Sequence, residues 1–200
     1  MIKNIIFDIG NVLIDFHWDK TMREIGIPED AIKHLGENMI NHKLWSHMDK
    51  NDIPEGELVQ RFKEISPQYS EYIDRFFSNM GNVVSDFPES ADWLKELKQR
   101  GYKIYLLSNY PERMFKMHSK RYGFMPYVDG KVVSYECKMI KPDEGIYRLL
   151  CEKYDIIPEE SVFLDDRKEN VEASVRLGFN GILVGNQKEA RKTLDELLAG

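Results

Sequence analysis

The chain has 200 residues, 42% apolar and 31% charged, with 28 basic and 34 acidic side chains and a net charge of −6. This is the composition of a soluble globular protein and excludes general disorder. Apolar runs fall far short of the ~20 residues that cross a bilayer, Asp8 interrupts any secretory core, and no basic stripe offers a phosphate-backbone footprint, so no membrane and no nucleic acid is expected as a partner.

In chain order, the first element is an apolar run without strict alternation, Ile2–Phe7, which fits a strand covered on both faces. From about residue 16 to 84 no convincing strand run occurs. Asn38–Met48 is readable as helical, Glu55–Ile65 repeats Leu58, Phe62 and Ile65 at helical spacing, and Ser66-Pro67 is an N-cap and first-turn pair. The helix after it aligns Tyr69, Tyr72, Ile73, Phe76 and Phe77 on one stripe.

Beyond residue 84 strands and helices alternate. The expected helices are Pro88–Gln99, Pro111–Tyr122, Asp143–Lys153 (Asp143 as N-cap), Lys168–Leu177 and Gln187–Leu198. The expected strands between them are Tyr102–Leu107, Val132–Tyr135, Ser161–Leu164 and Gly181–Val184. The alternation predicts a three-layer, Rossmann-like α/β core with a central parallel sheet, built from residues 1–15 and 85–200. A small all-helical domain, residues 16–84, is inserted after the first strand, with hinges expected near 14–17 and 82–88. The two cysteines, Cys137 and Cys151, have neither disulfide-framework nor metal spacing, and the expected compartment is the reducing cytoplasm.

Four places at predicted strand ends look chemical, and ligands bind at that edge of open parallel sheets. Asp8 ends the first strand, followed by Gly10 and Asn11. Ser108-Asn109 ends the second and offers a hydroxyl and an amide to an anion. Lys141 stands before Pro142, which keeps it out of the following helix. Asp165-Asp166, with Asn170 beyond, are adjacent carboxylates that need a positive neighbour, and Mg²⁺ is the natural hard-oxygen guest.

This ordered set, Asp, then Ser-Asn, then Lys-Pro, then Asp-Asp, resembles the haloacid dehalogenase superfamily of aspartate-nucleophile phosphohydrolases. The resemblance covers the whole chain, and the helical insert looks like the cap of the family's helical-cap branch. The resemblance implies Asp8 as nucleophile and metal ligand, the Gly10 backbone carbonyl and Asp166 as further Mg²⁺ ligands, and Asp165 as a neighbouring carboxylate acting through water. It also implies Ser108 and Asn109 as phosphate-binding groups and Lys141 as the balancing cation. Asn170 falls at a metal-shell or hydrogen-bonding position. The expected activity is Mg²⁺-dependent hydrolysis of a small phosphorylated metabolite, a sugar phosphate favoured, by a monomer or weak dimer. The Phe-Asp-x-Gly-Asn-Val stretch is similar to a sub-branch that includes bacterial sugar-1-phosphate phosphatases.

One departure matters. Most phosphatases of this family carry a second aspartate two residues after the nucleophile, to protonate the leaving oxygen and then activate water. Here that position is Gly10. Asp15 is a candidate substitute acid. The expected rate with aryl phosphates depends steeply on leaving-group pKa, and a flat dependence would point instead to an intact acid elsewhere. The alternatives are a metal-independent 2-haloacid dehalogenase, which needs no leaving-group proton, and a non-catalytic phosphate-binding protein. Candidates for substrate choice in the insert are His17, Trp18, His42, Trp45 and His47.

Overall fold

The protein is described by a computed structural model over residues 1–199. β1 (Asn4–Phe7) leads through a tight loop to β2 (Ile14–Phe16). Five helices follow: α1 (Trp18–Glu24), α2 (Glu29–Leu35, continued by a wide turn over Gly36–Ile40), α3 (Trp45–Lys50), α4 (Glu55–Ile65) and α5 (Ser70–Ser78). β3 (Val84–Asp86) returns the chain, and α6 (Ser90–Gln99), β4 (Lys103–Ser108), α7 (Glu112–His118), β5 (Gly130–Val133) and α8 (Ser134–Cys137) come next. The remainder is α9 (Glu144–Tyr154), β6 (Ser161–Asp165), α10 (Lys168–Arg176), β7 (Asn180–Leu183) and α11 (Gln187–Ala199).

The main sheet is parallel throughout, in the order β5-β4-β1-β6-β7. β1 is central because it can be buried on both sides. Ile5 and Phe7 join the cluster that contains Trp93, Leu94 and Leu97 of α6, while Ile6 joins Ile146, Tyr147 and Leu150 of α9. All three β1 residues are fully buried. The expected α/β core is therefore present, each strand within about two residues of its expected span. Asp143 caps α9 as anticipated, its side chain accepting the Gly145 N–H at 2.8 Å.

Register brings the motifs together. Phe7 pairs with Leu106 on one side and Leu164 on the other. The next residue, Asp8, donates its N–H to Leu164 O at 2.9 Å and stands level with Asp165. Ser108 ends β4. The carboxyl ends of three adjacent strands thus deliver Asp8, Ser108 and Asp165 to one edge, beside the point between β1 and β6 where the strand order reverses.

Between the two passages of chain joining the helical segment to the core, the structure differs from the sequence reading. They carry a short ribbon that the sequence reading lacks: β2 and β3 pair antiparallel, with Asp15 opposite Ser85. Three-residue strands carry too little pattern to be seen in sequence. Asn38–Met48 is not one helix either. A turn at residues 41–44 separates the wide turn from α3. In the helical segment Leu58, Phe62, Ile73, Phe76 and Phe77 are buried, whereas Ile65 is exposed and Tyr69 and Tyr72 are half-buried.

The loop after β1 is held from behind. Ser90 Oγ donates to Leu13 O at 2.7 Å, and Gln187 Nε2 reaches both Val12 O and Ser90 Oγ at 2.7 Å. Ser90 is 1% exposed, so Ser90→Ala strands a buried carbonyl. The expected cost is about 1–3 kcal/mol, read as a lower urea midpoint with unchanged slope; an unchanged midpoint would mean this network is not structural.

Candidate active site

Lys141 is the centre of the site. Its side chain is 1% exposed, and its ammonium donates to Asp165 Oδ2 at 2.6 Å while lying 2.9 Å from Asp8 Oδ1. Burial alone would lower the Lys141 pKa, but Asp165 and Asp8 beside it raise it, so the lysine stays charged. Asn109 aims it. The Asn109 amide accepts the Lys141 N–H at 2.8 Å and donates to the Lys141 carbonyl at 3.0 Å, fixing the backbone before Pro142. This leaves Asn109 one N–H to offer a ligand.

Asp165 is saturated. Its Oδ1 accepts from Arg167 N at 2.8 Å and Asn170 Nδ2 at 3.0 Å, and its Oδ2 accepts from Lys141 and from Asn170 Nδ2 at 3.1 Å. Asn170 is itself buried, its carbonyl accepting the Tyr147 hydroxyl at 2.9 Å. Both residues are therefore occupied in holding Lys141. Asp166 differs: only Asn11 Nδ2 reaches it, at 2.9 Å to Oδ2.

Asn11 stands in the first sequence motif, but sequence reasoning gave it no role. It adopts the left-handed region at φ 55°, which asparagine tolerates better than most side chains. Its amide bridges Asp166 to the Phe16 N–H, the latter at 3.2 Å. The available signal was its place after Gly10 in the tight loop.

Two buried polar atoms here lack a well-aligned hydrogen bond, Asp8 Oδ1 and Ser108 Oγ. Such atoms cost about 1–3 kcal/mol each, and they stand together at the strand edge. Burial pushes the Asp8 carboxyl up to about 7; Lys141 pulls it down, and Asp165 and Asp166 push it further up. Asp166 is also raised, first by burial. Asp8, Asp165 and Asp166 each bring one oxygen within 4.8 Å of the others. Three carboxylates against one buried ammonium leave an excess of negative charge, and every donor is a hard oxygen. The cluster fits a divalent cation of the Mg²⁺ type.

Asp8, Lys141 and Asp166 open into a cavity of about 420 Å³, with Ser108 and Asp165 buried behind its lining. Its floor includes Asp8, Gly10, Asn109, Lys141 and Asp166, and its far wall is made by Trp18, Ile40, Asn41, Trp45 and Asp49 from the helical segment. Of the five insert candidates, the two tryptophans line the cavity. The histidines do not: His17 Nδ1 pairs with Thr21 Oγ1 at 3.2 Å, His42 Nδ1 accepts the Leu44 N–H at 3.3 Å, and His47 pairs with Asp52 at 2.9 Å. Asp15 is also misplaced for the role given to it. Ile14 and Phe16 line the cavity, and alternation along β2 turns Asp15 to the opposite face. Asp49 is the carboxyl that sequence reasoning missed. Burial pushes it up to about 7, with Arg167 pulling down and Asp8 pushing up.

Among the described residues, no helix is long and apolar enough to cross a membrane. The sesquiterpene phosphatase astK of Aspergillus oryzae is 29% identical, over 90% of this chain and 88% of that protein. The (S)-2-haloacid dehalogenase 4A of Burkholderia cepacia is 27% identical, over 91% and 82%. Among solved structures, a HAD family enzyme of Bacteroides thetaiotaomicron, in complex with magnesium and inorganic phosphate, superposes with a TM-score of 0.72 at 24% identity, covering 93% of this chain and 96% of that one. Residues 2–178 match the model of the haloacid dehalogenase-like hydrolases. With the strand edge that carries Asp8, the buried lysine and the carboxylate cluster all inside that match, the chain belongs to the haloacid dehalogenase-like hydrolase family.

Proposed function

We propose that the protein is a Mg²⁺-dependent phosphomonoesterase that hydrolyses a small phosphorylated metabolite through a phosphoaspartyl intermediate on Asp8. The observation that carries this reading is the buried Asp8–Lys141 pair set against the unsatisfied Ser108 hydroxyl and the second acid, Asp166. Asp8 and Asp166 would hold the cation, with the Gly10 carbonyl beside them; Asp165, already engaged, would act through water. The cation, when bound, offsets the repulsion between carboxylate and phosphate dianion.

Asp8 attacks phosphorus as the ester oxygen leaves. Ser108, the free Asn109 N–H and Lys141 would stabilise the charged equatorial oxygens. Asp165 and Asn170 keep the Lys141 ammonium in position for this. The Trp18 and Trp45 indoles and the Asn41 amide suit a compact alcohol with one flat, weakly polar face, and a sugar phosphate fits that description. The phosphatase among the relatives supports the reaction class. The dehalogenase does so less well, because halide displacement gives no use to a second free carboxylate such as Asp166.

With Mg²⁺ present, the protein is expected to release phosphate from p-nitrophenyl phosphate, and Asp8→Asn is expected to abolish it. Chloride release from 2-chloropropionate in chelator, with no phosphate release, would establish the dehalogenase reading instead.

A carboxyl raised by folding favours the protonated, folded state. The Asp8 contribution is thus present below about 4 and lost as pH rises through about 7 in chelated protein, and Asp166, raised by burial, contributes in the same direction. Mg²⁺ competes with those protons. Its stabilisation in thermal melts is expected to be larger at pH 8 than at pH 5, and an equal shift at both would argue against these ligands.

Lys141→Met leaves two buried carboxylates facing each other. The expected loss is about 3–5 kcal/mol at pH 8 and less at pH 5, where Asp8 takes up a proton. Urea melts at the two pH values measure it, and a cost that does not change with pH would contradict the coupling.

A further inference from the structure

The reaction proposed above leaves one task without a side chain. An ester oxygen departing from phosphorus needs a proton unless it is already a good leaving group, and the water that frees the aspartyl enzyme must lose one. Gly10 supplies no group for this, and nothing lies within 4 Å of the point where its Cβ would stand. Asp15 faces away. Asp8 is the nucleophile, and Asp166 is the acid assigned to the cation.

Asp49 is the remaining carboxyl on the cavity wall. Among the described residues its carboxyl has no hydrogen bond and no ion pair, unlike Asp52 nearby, which is held by His47. It is half-buried, open to the cavity, and near enough to Asp8, Lys141 and Arg167 to feel their charges. These are the charged groups that face it. On the elements packed against α3, Glu112 and Lys138 are turned instead to the side chain and carbonyl of Asn51.

Its position is fixed by the core. Ser134, the first residue beyond β5, donates its hydroxyl to Asp49 O at 2.6 Å and accepts the Tyr110 N–H at 2.9 Å. Asn51 Nδ2 donates to Glu112 at 2.7 Å, and the Lys138 ammonium donates to the Asn51 carbonyl. α3 is thereby docked over the strand edge that carries the nucleophile.

We propose that Asp49, supplied by the helical segment and not by the strand-end loop, is the general acid and base of this enzyme. The inference rests on the phosphomonoesterase reading. In the first half-reaction the Asp8–phosphorus bond forms, the ester phosphorus–oxygen bond breaks, and the Asp49 carboxyl gives its proton to the leaving oxygen, producing the alcohol. In the second, the Asp49 carboxylate takes a proton from water as that water bonds to phosphorus. The Asp8–phosphorus bond breaks, phosphate leaves, and both carboxyls return to their starting states. Burial that keeps Asp49 protonated near neutral pH suits the first role.

The test uses the Mg²⁺-loaded protein with p-nitrophenyl phosphate, whose leaving group needs little proton help, and phenyl phosphate, whose leaving group needs more. Asp49→Asn is expected to lower turnover of phenyl phosphate by about 10²–10⁴. With p-nitrophenyl phosphate it is expected to give a burst of one p-nitrophenol per active site, then a slow steady state with phosphorylated Asp8 accumulating in acid-quenched samples. Asp49→Glu is expected to recover part of the phenyl phosphate rate. Wild-type rates with both substrates, or an equal fall with both and no burst, would overturn the assignment. The wild-type protein gives a second reading that needs no variant: across substituted phenyl phosphates the rate is expected to depend weakly on leaving-group pKa, and a steep dependence would overturn the role of Asp49. If the wild-type protein forms no phosphoenzyme and releases no phosphate from any of these esters, the phosphomonoesterase reading itself fails.

Discussion

The buried ammonium of Lys141 is the constraint around which the site is arranged. A lysine 1% exposed is tolerated only with carboxylates against it, and two are delivered by neighbouring strands. Asp8 follows β1 and Asp165 ends β6, and parallel register sets them side by side. The requirement works in both directions. Without Lys141 the strand ends could not carry two acids, and without the register the lysine would have no partners. The sheet therefore does electrostatic as well as mechanical work. It presents the Asp8 carboxylate with its counter-charge already in place, the preorganisation that the proposed attack on a phosphate dianion requires.

Three asparagine amides supply the precision that charge alone lacks. Asn109 fixes the backbone on both sides of Lys141, Asn170 donates to both oxygens of Asp165, and Asn11 joins Asp166 to the entrance of β2. Each is a neutral group that orients an ion without altering the charge balance. Asp165 spends its acceptor capacity on this scaffold, and Asp166 keeps an oxygen free. Two adjacent carboxylates thus take different parts, decided by which hydrogen bonds each already makes.

What could be read from the sequence follows from the range of the interactions involved. Strands covered on both faces leave apolar runs, so β1 and β4 were plain, and Asp8, Ser108, Lys141, Asp165 and Asp166 could be singled out from their order, although Lys141 stands in the loop between α8 and α9 and not at a strand end. The β2–β3 ribbon was invisible because three residues a side carry no periodicity. The histidines of the insert looked as eligible as Trp18 and Trp45, because local pattern does not say which face of a short helix meets the cavity. Asp49 was beyond reach for the same reason. Its place is set by a hydrogen bond to Ser134, 85 residues away, on a helix of six residues whose neighbours give no periodic signal.

Moving the acid–base group from the strand-end loop to the helical segment has a physical consequence. A carboxyl at position 10 would stand beside Asp8 whether the cavity is open or closed. A carboxyl on α3 reaches the site only when that helix is docked on Ser134, Glu112 and Lys138, and only there does burial hold its pKa near 7. Undocked, the same side chain is solvated and returns toward an ordinary carboxylate, ionised at neutral pH and useless as an acid. Docking therefore sets both the position and the protonation state of Asp49. Adventitious phosphate esters that cannot fill the wall formed by Trp18, Ile40 and Trp45 would meet a nucleophile without its acid. Substrate choice is then exercised at the proton as well as at the walls of the cavity.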